Sequence, residues 1–281
     1  MSASIRGKHM LVTGASAGLG YTTALELARR GATLTLVMRD KTRAEQTLAK
    51  LQAETGNSEI SYELADLSLM EDVDSLVARL TKRAKPIDVL INNAGALFNP
   101  RSETSEGLEQ SFALLLLSPY RLTMGLKPLL LKSNGARVIN VVSGGMYSQR
   151  LDVDGLENEN LKTYSGSVAY AREKRALMVV TEEWAKEWEK DDIVVNAMHP
   201  GWADTPGVKS ALPEFRKITR TVLRTSEQGA DTIVWLAVAS EADQVTGKLF
   251  LDRQIRSPYL LNKTREEPLE RRDLMEFLAQ R

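Results

Sequence analysis

The 281-residue chain is predicted to be an α/β protein with a doubly wound parallel sheet in three α/β/α layers, on three observations. Short β-branched or apolar runs alternate with longer amphipathic segments. The runs are too continuous in apolar residues to be half-exposed, which marks strands covered on both faces. No internal repeat or low-complexity tract interrupts the order, and 43% hydrophobic content fills a large core, so residues 1–281 read as a single domain.

The first strand run, Met10 to Val12, leads into Thr13-Gly14-Ala15-Ser16-Ala17-Gly18-Leu19-Gly20, which opens a helical pattern reaching Arg30. A strand that turns through glycines into a helix aims free N–H groups and the positive end of the helix dipole at one spot, which suits a pyrophosphate. A dinucleotide is the expected ligand. The spacing is TGxxxGxG: Gly14 makes the turn, Gly18 allows close approach of a phosphate, and Gly20 packs helix against strand. Further strands are expected at Leu34 to Met38, Ile60 to Leu64, Val89 to Ile91, Val138 to Val142, Ile193 to Met198 and Leu249 to Leu251. Ligands of such sheets sit beyond the carboxyl ends of the strands, which singles out Thr13, Arg39, Asp66, Asn92, Ser143 and Pro200. Two stretches lack periodicity, Gln149 to Ser167 and Trp202 to Thr225; the second follows a strand end and reads as a substrate lid. The tail, Arg253 to Arg281, ends in an amphipathic, charge-dense pattern expected to be a packing helix.

Composition excludes several functions. Lysine plus arginine equals aspartate plus glutamate at 37 each, so no net field draws the chain to nucleic acid or to an anionic membrane. With no cysteine and only His9 and His199, no metal site is expected. The polar start, Met1 to Lys8, does not read as a signal peptide, and the longest apolar run, Phe112 to Leu117, is far too short to span a bilayer. A cytoplasmic protein without an integral membrane segment is expected.

Tyr170 and Lys174 lie four residues apart on a predicted helix, so the phenol and the ammonium share one face. A phenol titrates near 10, so acid–base work near neutral pH needs a depression of about three units, roughly 4 kcal/mol, which a nearby cation supplies. Ser143 ends a strand run and precedes Gly144 and Gly145, which puts its hydroxyl at the sheet rim, able to donate to a substrate oxygen.

Taken together, Thr13 to Gly20, Asn92-Asn93-Ala94-Gly95, Ser143, Tyr170 with Lys174, and Pro200-Gly201 resemble the ordered motifs of short-chain dehydrogenases/reductases over residues 7–252. The long Ser143 to Tyr170 spacing is similar to the retinol-dehydrogenase-like branch. The runs Val142 to Met146, Met198 to Val208 and Gln228 to Thr232 resemble the dehydrogenase/reductase family member 12 group. The resemblance implies a Rossmann fold and an NAD(P)-dependent oxidoreductase. It implies Tyr170 as general acid or base, Ser143 as the group that polarises the reacting oxygen, and Lys174 as the group that bonds the nicotinamide ribose and lowers the phenol pKa. It implies cofactor contacts from Gly14, Ser16, Ala17, Gly18, Leu19, Gly20, Arg39, Asp66, Leu67, Asn93, Ala94, Gly95, Tyr170, Lys174, Pro200, Gly201 and Thr205, with Asn92 in the same lining and Asp66 beside adenine. By analogy it also implies a homo-oligomer, a dimer or tetramer, built through the Tyr170 helix.

Cofactor choice is read at the end of the second strand, where Val37-Met38-Arg39-Asp40 carries an arginine suited to a 2′-phosphate. NADP(H) is therefore expected over NAD(H). One position departs from the family: aligning Phe112-Ala113 puts Leu115 where relatives hold a catalytic asparagine, and leucine offers no donor or acceptor for a proton relay. Trp184, Trp188 and His199 are expected to be structural, while Met146, Tyr147, Tyr164 and Trp202 are expected to wall a pocket for a bulky apolar substrate. The leading expectation is an NADP(H)-dependent carbonyl reductase or alcohol dehydrogenase for a hydrophobic ketone, aldehyde or secondary alcohol. Leu115 keeps two others open: a redox-neutral isomerase, lyase or cyclase, and a protein that senses NADP(H).

Overall fold

A computed structural model describes residues 5–157, 164–201 and 224–281. Seven parallel strands run in the order β3-β2-β1-β4-β5-β6-β7: β1 His9–Thr13, β2 Thr33–Met38, β3 Ile60–Leu64, β4 Val89–Asn92, β5 Ala136–Val141, β6 Ile193–Met198 and β7 Leu249–Leu251. The expected strands are all present, with β5 starting at Ala136 and ending one residue before Val142. An eighth strand, β8 Gln254–Arg256, pairs antiparallel with β7 and was not legible in advance.

Side chains along each central strand alternate between two cores, because successive residues of a strand point to opposite faces. Leu11, Leu90, Val138 and Val195 pack under α3 Met70–Arg83, α5 Ser118–Leu130 and α6 Gly166–Glu187. Val12, Ile91, Ile139 and Met198 pack under α1 Gly18–Arg29, α2 Lys41–Thr55 and α7 Ser226–Val238. The short helix α4 Gln110–Phe112 joins α5 through a π-helical turn, Ala113–Leu117. Helix limits follow from local chemistry. The Asp40 carboxylate accepts the Arg43 N–H to start α2, Gly56 ends it in the left-handed region (φ 67°), and Thr225 with Gln228 forms a capping box on α7.

The chain winds from β1 to β3 on one side, then returns to lay β4 against the other side of β1. The loops after β1 and β4 therefore splay apart at a topological switch point, the place where such sheets bind ligands.

The tail is a strap over one face of the sheet. From β8 it runs along the outer side of α6 to α8 Pro268–Ala279, which buries Leu274 and Leu278 in the core that holds Phe112, Tyr120 and Trp184. Phe277 packs on Phe112 with ring centroids 5.8 Å apart. Arg271 joins the strap to α6 through Glu182 and Glu183 and also bonds the Tyr259 hydroxyl at 3.0 Å. Trp184 and Trp188 are fully buried and stacked (5.1 Å), packing residues as expected. Truncating Arg271 leaves partly buried Glu182 without its cation and removes one of the two cations at Glu183 and at Glu266. Arg271→Ala is expected to cost about 2 kcal/mol, lowering the thermal unfolding midpoint by about 5 °C in differential scanning calorimetry.

Candidate active site

The N-terminus of α1 is left open by its sequence. Ala17 is the N-cap residue and supplies no side-chain bond, and no acidic residue stands in the first turn, so the leading N–H groups and the dipole face the cleft uncompensated. Gly14 (φ 68°) turns the chain, and Gly18 (φ 55°) sits in the left-handed region that favours glycine. At Gly20 a Cβ would stand 2.2 Å from the Gly14 carbonyl oxygen and 2.5 Å from Asn93 Nδ2, so only glycine lets the helix start this close to β1 and β4. Asn93 Nδ2 donates to the Thr13 carbonyl oxygen at 2.8 Å, and Thr13 Oγ1 accepts the Asn93 and Ala94 N–H groups at 3.0 and 2.9 Å. These bonds hold the two glycine-bearing loops in register.

A cleft of about 480 Å³ opens between them. Of the expected cofactor contacts, Gly14, Ser16, Ala17, Gly18, Leu19, Gly20, Arg39, Asp66, Leu67, Asn93, Ala94, Gly95, Pro200 and Gly201 line it together with Ser143, Tyr170 and Lys174. Asn92 does not: its side chain is buried inside the sheet layer, donating to Thr123 Oγ1 (2.9 Å) and Asn140 Oδ1 (2.8 Å). Thr205, Trp202 and the expected lid up to residue 223 lie outside the described residues. Where the described residues resume, Arg224 pairs with Asp252 and Thr225 caps α7.

Tyr170 and Lys174 occupy one face of α6, with Nζ 5.8 Å from the phenol ring centroid. The Tyr170 phenol hydrogen-bonds the Ser143 hydroxyl, which also accepts the Gly145 N–H at 3.2 Å. The electrostatics differ from expectation. Burial raises the Tyr170 pKa, opposed by the Ser143 bond alone, while Lys174 Nζ donates to the Val141 carbonyl oxygen at 2.8 Å. Lys174 is only 3% exposed, and loss of hydration brings its pKa down to about 8. Next to it, Glu173 has no hydrogen-bond partner for either carboxylate oxygen; burial and then nearby Glu109 push its carboxyl well above the usual range.

Leu115 is fully buried on the π-helical turn, its Cδ2 3.2 Å from where a Cβ on Gly95 would stand, a point itself 4.0 Å from Lys174 Nζ. The aligned position therefore faces the lysine side of the site with methyl groups. A second, much smaller cavity on that side is lined by Thr13, Asn92, Ser118 and Lys174, and Asn92 Oδ1 is a buried acceptor without a partner.

Three of the four expected substrate-pocket walls do not line the cleft that the described residues form. Met146 is fully buried in the core. Tyr147 turns outward to donate to the Ser257 carbonyl oxygen (3.0 Å) and meets His199 edge-on. The Tyr164 hydroxyl donates to Phe98 O and Glu109 Oε1, each at 3.1 Å, which ties down the start of α4 instead of facing the cleft. His199 is structural as expected, with Nδ1 accepting the Gly201 N–H at 3.3 Å. The cleft takes other walls: Phe98, Gln110, Leu114 and Ser167. Ser167 is legible, three residues before Tyr170 on the same helix face; Phe98 comes from an aperiodic loop that carries no such signal, and Gln110 from the first residue of the short helix α4.

Arg39 is exposed at the rim, and among the described residues no carboxylate forms an ion pair with it, since Asp40 is spent on the α2 cap. The open helix N-terminus and the glycine turns together fit a dinucleotide.

The family model for short chain dehydrogenase matches residues 8–214. Human dehydrogenase/reductase SDR family member 12 is 42% identical over 282 residues, covering 100% of this chain and 88% of the relative. Human retinol dehydrogenase 13 is 32% identical, over 88% of this chain and 77% of its own. Among solved structures, L-sorbose reductase from Gluconobacter frateurii, complexed with NADPH and L-sorbose, superposes with a TM-score of 0.72 at 25% identity, covering 89% of this chain and 96% of that one.

Lys174 supplies a stability test of this site. Its pKa is about 8 in the fold against 10.5 when exposed, so the unfolded chain holds the extra proton between these values and stability rises with pH across that window. Below about pH 8 the full cost is present. Lys174→Met removes that cost of about 3 kcal/mol and loses one hydrogen bond worth about 1 kcal/mol. The variant is expected to be more stable than wild type by ~2 kcal/mol at pH 7 in urea unfolding, with the gap closing toward pH 10.

The chain belongs to the short-chain dehydrogenase/reductase family of NAD(P)-dependent oxidoreductases, in its retinol-dehydrogenase-like branch.

Proposed function

We propose that the protein is an NADP(H)-dependent carbonyl reductase, or alcohol dehydrogenase in reverse, for a hydrophobic ketone, aldehyde or secondary alcohol. The observation that carries the reading is the convergence of Tyr170, Ser143 and Lys174 on the cleft that the open end of α1 enters. Bound there, the nicotinamide supplies the hydride. Ser143 Oγ orients and polarises the substrate oxygen, and the Tyr170 phenol gives it a proton. A phenol held above its ordinary pKa is protonated at neutral pH, so it is ready as an acid for reduction; oxidation needs the phenolate and is expected to speed up as pH rises. Lys174 Nζ, beside the phenol ring, supplies the cation near the ribose.

Arg39 supports NADP(H) over NAD(H) through charge-assisted bonding to a 2′-phosphate. The structurally similar L-sorbose reductase from Gluconobacter frateurii was solved in complex with NADPH, which supports the same reading. Apolar lining from Leu19, Phe98 and Leu114 supports a hydrophobic substrate. The single domain, the lid at 202–225 and a cytoplasmic location remain part of this reading; no helix among the described residues is long and apolar enough to cross a membrane. A homo-oligomer formed through the Tyr170 helix is disfavoured by the strap, which already seats Arg271 and Leu274 on that side of α6.

Leu115 favours a second reading, redox-neutral chemistry on the same scaffold. Against it, Asn92 and Ser118 provide polar groups beside Lys174 where Leu115 provides none. The readings separate on nicotinamide absorbance: substrate consumed with no absorbance change selects the redox-neutral enzyme, and tight NADPH binding with no turnover of any carbonyl selects a sensor.

Tyr170→Phe is expected to lower kcat/KM for carbonyl reduction by about 10²–10⁴ with NADPH affinity held, as judged by stopped-flow assay and fluorescence titration. Arg39→Ala is expected to weaken NADPH binding about 10–100-fold and leave NADH binding nearly unchanged. Wild-type preference for NADH in the same titration would overturn the cofactor assignment.

A further inference from the structure

Arg175 follows Lys174 on α6, is fully buried, and has no part in the chemistry described so far. A guanidinium stays charged, so a chain that buries one gains something from it. An ion pair is not the gain. Nη1 lies 3.6 Å from Glu266 Oε1, both side chains are out of solvent, and neither atom makes a hydrogen bond. What the guanidinium does make is three bonds to main-chain carbonyl oxygens. Nε donates to Gln149 at 3.3 Å, and Nη2 to Met146 at 3.2 Å and to Pro258 at 2.8 Å. The Tyr259 ring of the strap covers the group, its centroid 5.0 Å away.

Met146 and Gln149 belong to the short turn that begins at Ser143. Two glycines follow the serine, so no side chain anchors the turn before Met146. Its backbone closes on itself: the Met146 N–H donates to the Ser143 carbonyl oxygen and the Gln149 N–H to that of Met146, each at 3.1 Å. Arg175 grips the far end of this turn. At the near end, Tyr170 of the same helix bonds the Ser143 hydroxyl, and Ala171 Cβ stands 3.6 Å from where a Cβ on Gly145 would be. One rigid helix thus holds the turn at both ends. Carbonyls reached from Nε and Nη2 together suit a planar fork, which a lysine ammonium cannot reproduce.

We infer that Arg175 is a positioning residue: it braces the Ser143 turn against α6 and the C-terminal strap, and so keeps the Ser143 hydroxyl at the Tyr170 phenol. The brace stands apart from any reaction; its effect on turnover rests on the carbonyl chemistry proposed above.

Tyrosine labelled with carbon-13 at Cζ reports the hydrogen bond of the phenol by NMR without turnover, the Tyr170 resonance being identified by its loss in Tyr170→Phe. Ser143→Ala is expected to move that resonance. Arg175→Lys keeps the charge and loses the fork; it is expected to move the resonance the same way and to add nothing in the Ser143→Ala background, with NADPH affinity unchanged. Arg175→Met, which leaves no charge to bury at that position, is expected to match it. In carbonyl reduction, Arg175→Lys is expected to lower kcat by about 10–100-fold in the wild type and hardly at all in Ser143→Ala. A Tyr170 resonance that stays in place in both arginine variants, or a shift that adds fully to that of Ser143→Ala, would overturn the proposal. So would loss of NADPH binding in both variants, which assigns Arg175 to folding in general. The expected shifts in a wild type that reduces no carbonyl would strike the functional reading alone.

Discussion

Everything in the site depends on how closely the first turn of α1 approaches the ends of β1 and β4. Gly20 has no room for a single methyl group, since its Cβ would meet the Gly14 carbonyl oxygen and the Asn93 amide. That contact sets the direction of the open helix N-terminus. The Thr13 and Asn93 bonds then fix the neighbouring loop at the same height, and the cleft is what remains between them. The chemistry is thus positioned by packing of backbone on backbone, with few side chains in between.

A second constraint is electrostatic. Lys174 is kept in a nearly dry setting with one carbonyl partner, and the phenol beside it is half-buried at the cleft wall, so both groups are held away from their ordinary titration ranges. Such an arrangement costs stability and pre-sets reactivity, a trade common at functional sites. The π-helical turn belongs to the same economy of space: it carries Leu115 inward against Gly95 while Leu114 faces the cleft.

Much of this was legible in the chain because the informative signals are local. Glycine spacing after a strand run, the four-residue step from Tyr170 to Lys174, and Ser143 at a strand end each encode geometry within a few residues. What failed was inference from nearness along the chain. Met146 and Tyr147 follow Ser143 closely, yet the short turn after Ser143 sends one into the core and the other toward Ser257. Tyr164 lies near Tyr170 but before the start of α6, where distant Phe98 and Glu109 claim its hydroxyl. β8 was hidden for a different reason: its two-residue turn is Asp252-Arg253, both at positive φ (54° and 59°), where the usual glycine or asparagine signal is missing. Long-range contacts compensate, since Arg253 is clamped by Asp231 and Asp252 by Arg224.

That short hairpin has a consequence for solubility. A sheet ending at β7 would offer a bare ladder of unpaired amides and carbonyls to any passing strand, an invitation to edge-to-edge growth. β8 covers it with three residues, two of them polar, and the chain then leaves the sheet plane. The molecule thereby limits its own polymerisation with a segment too brief and too hydrophilic to template another.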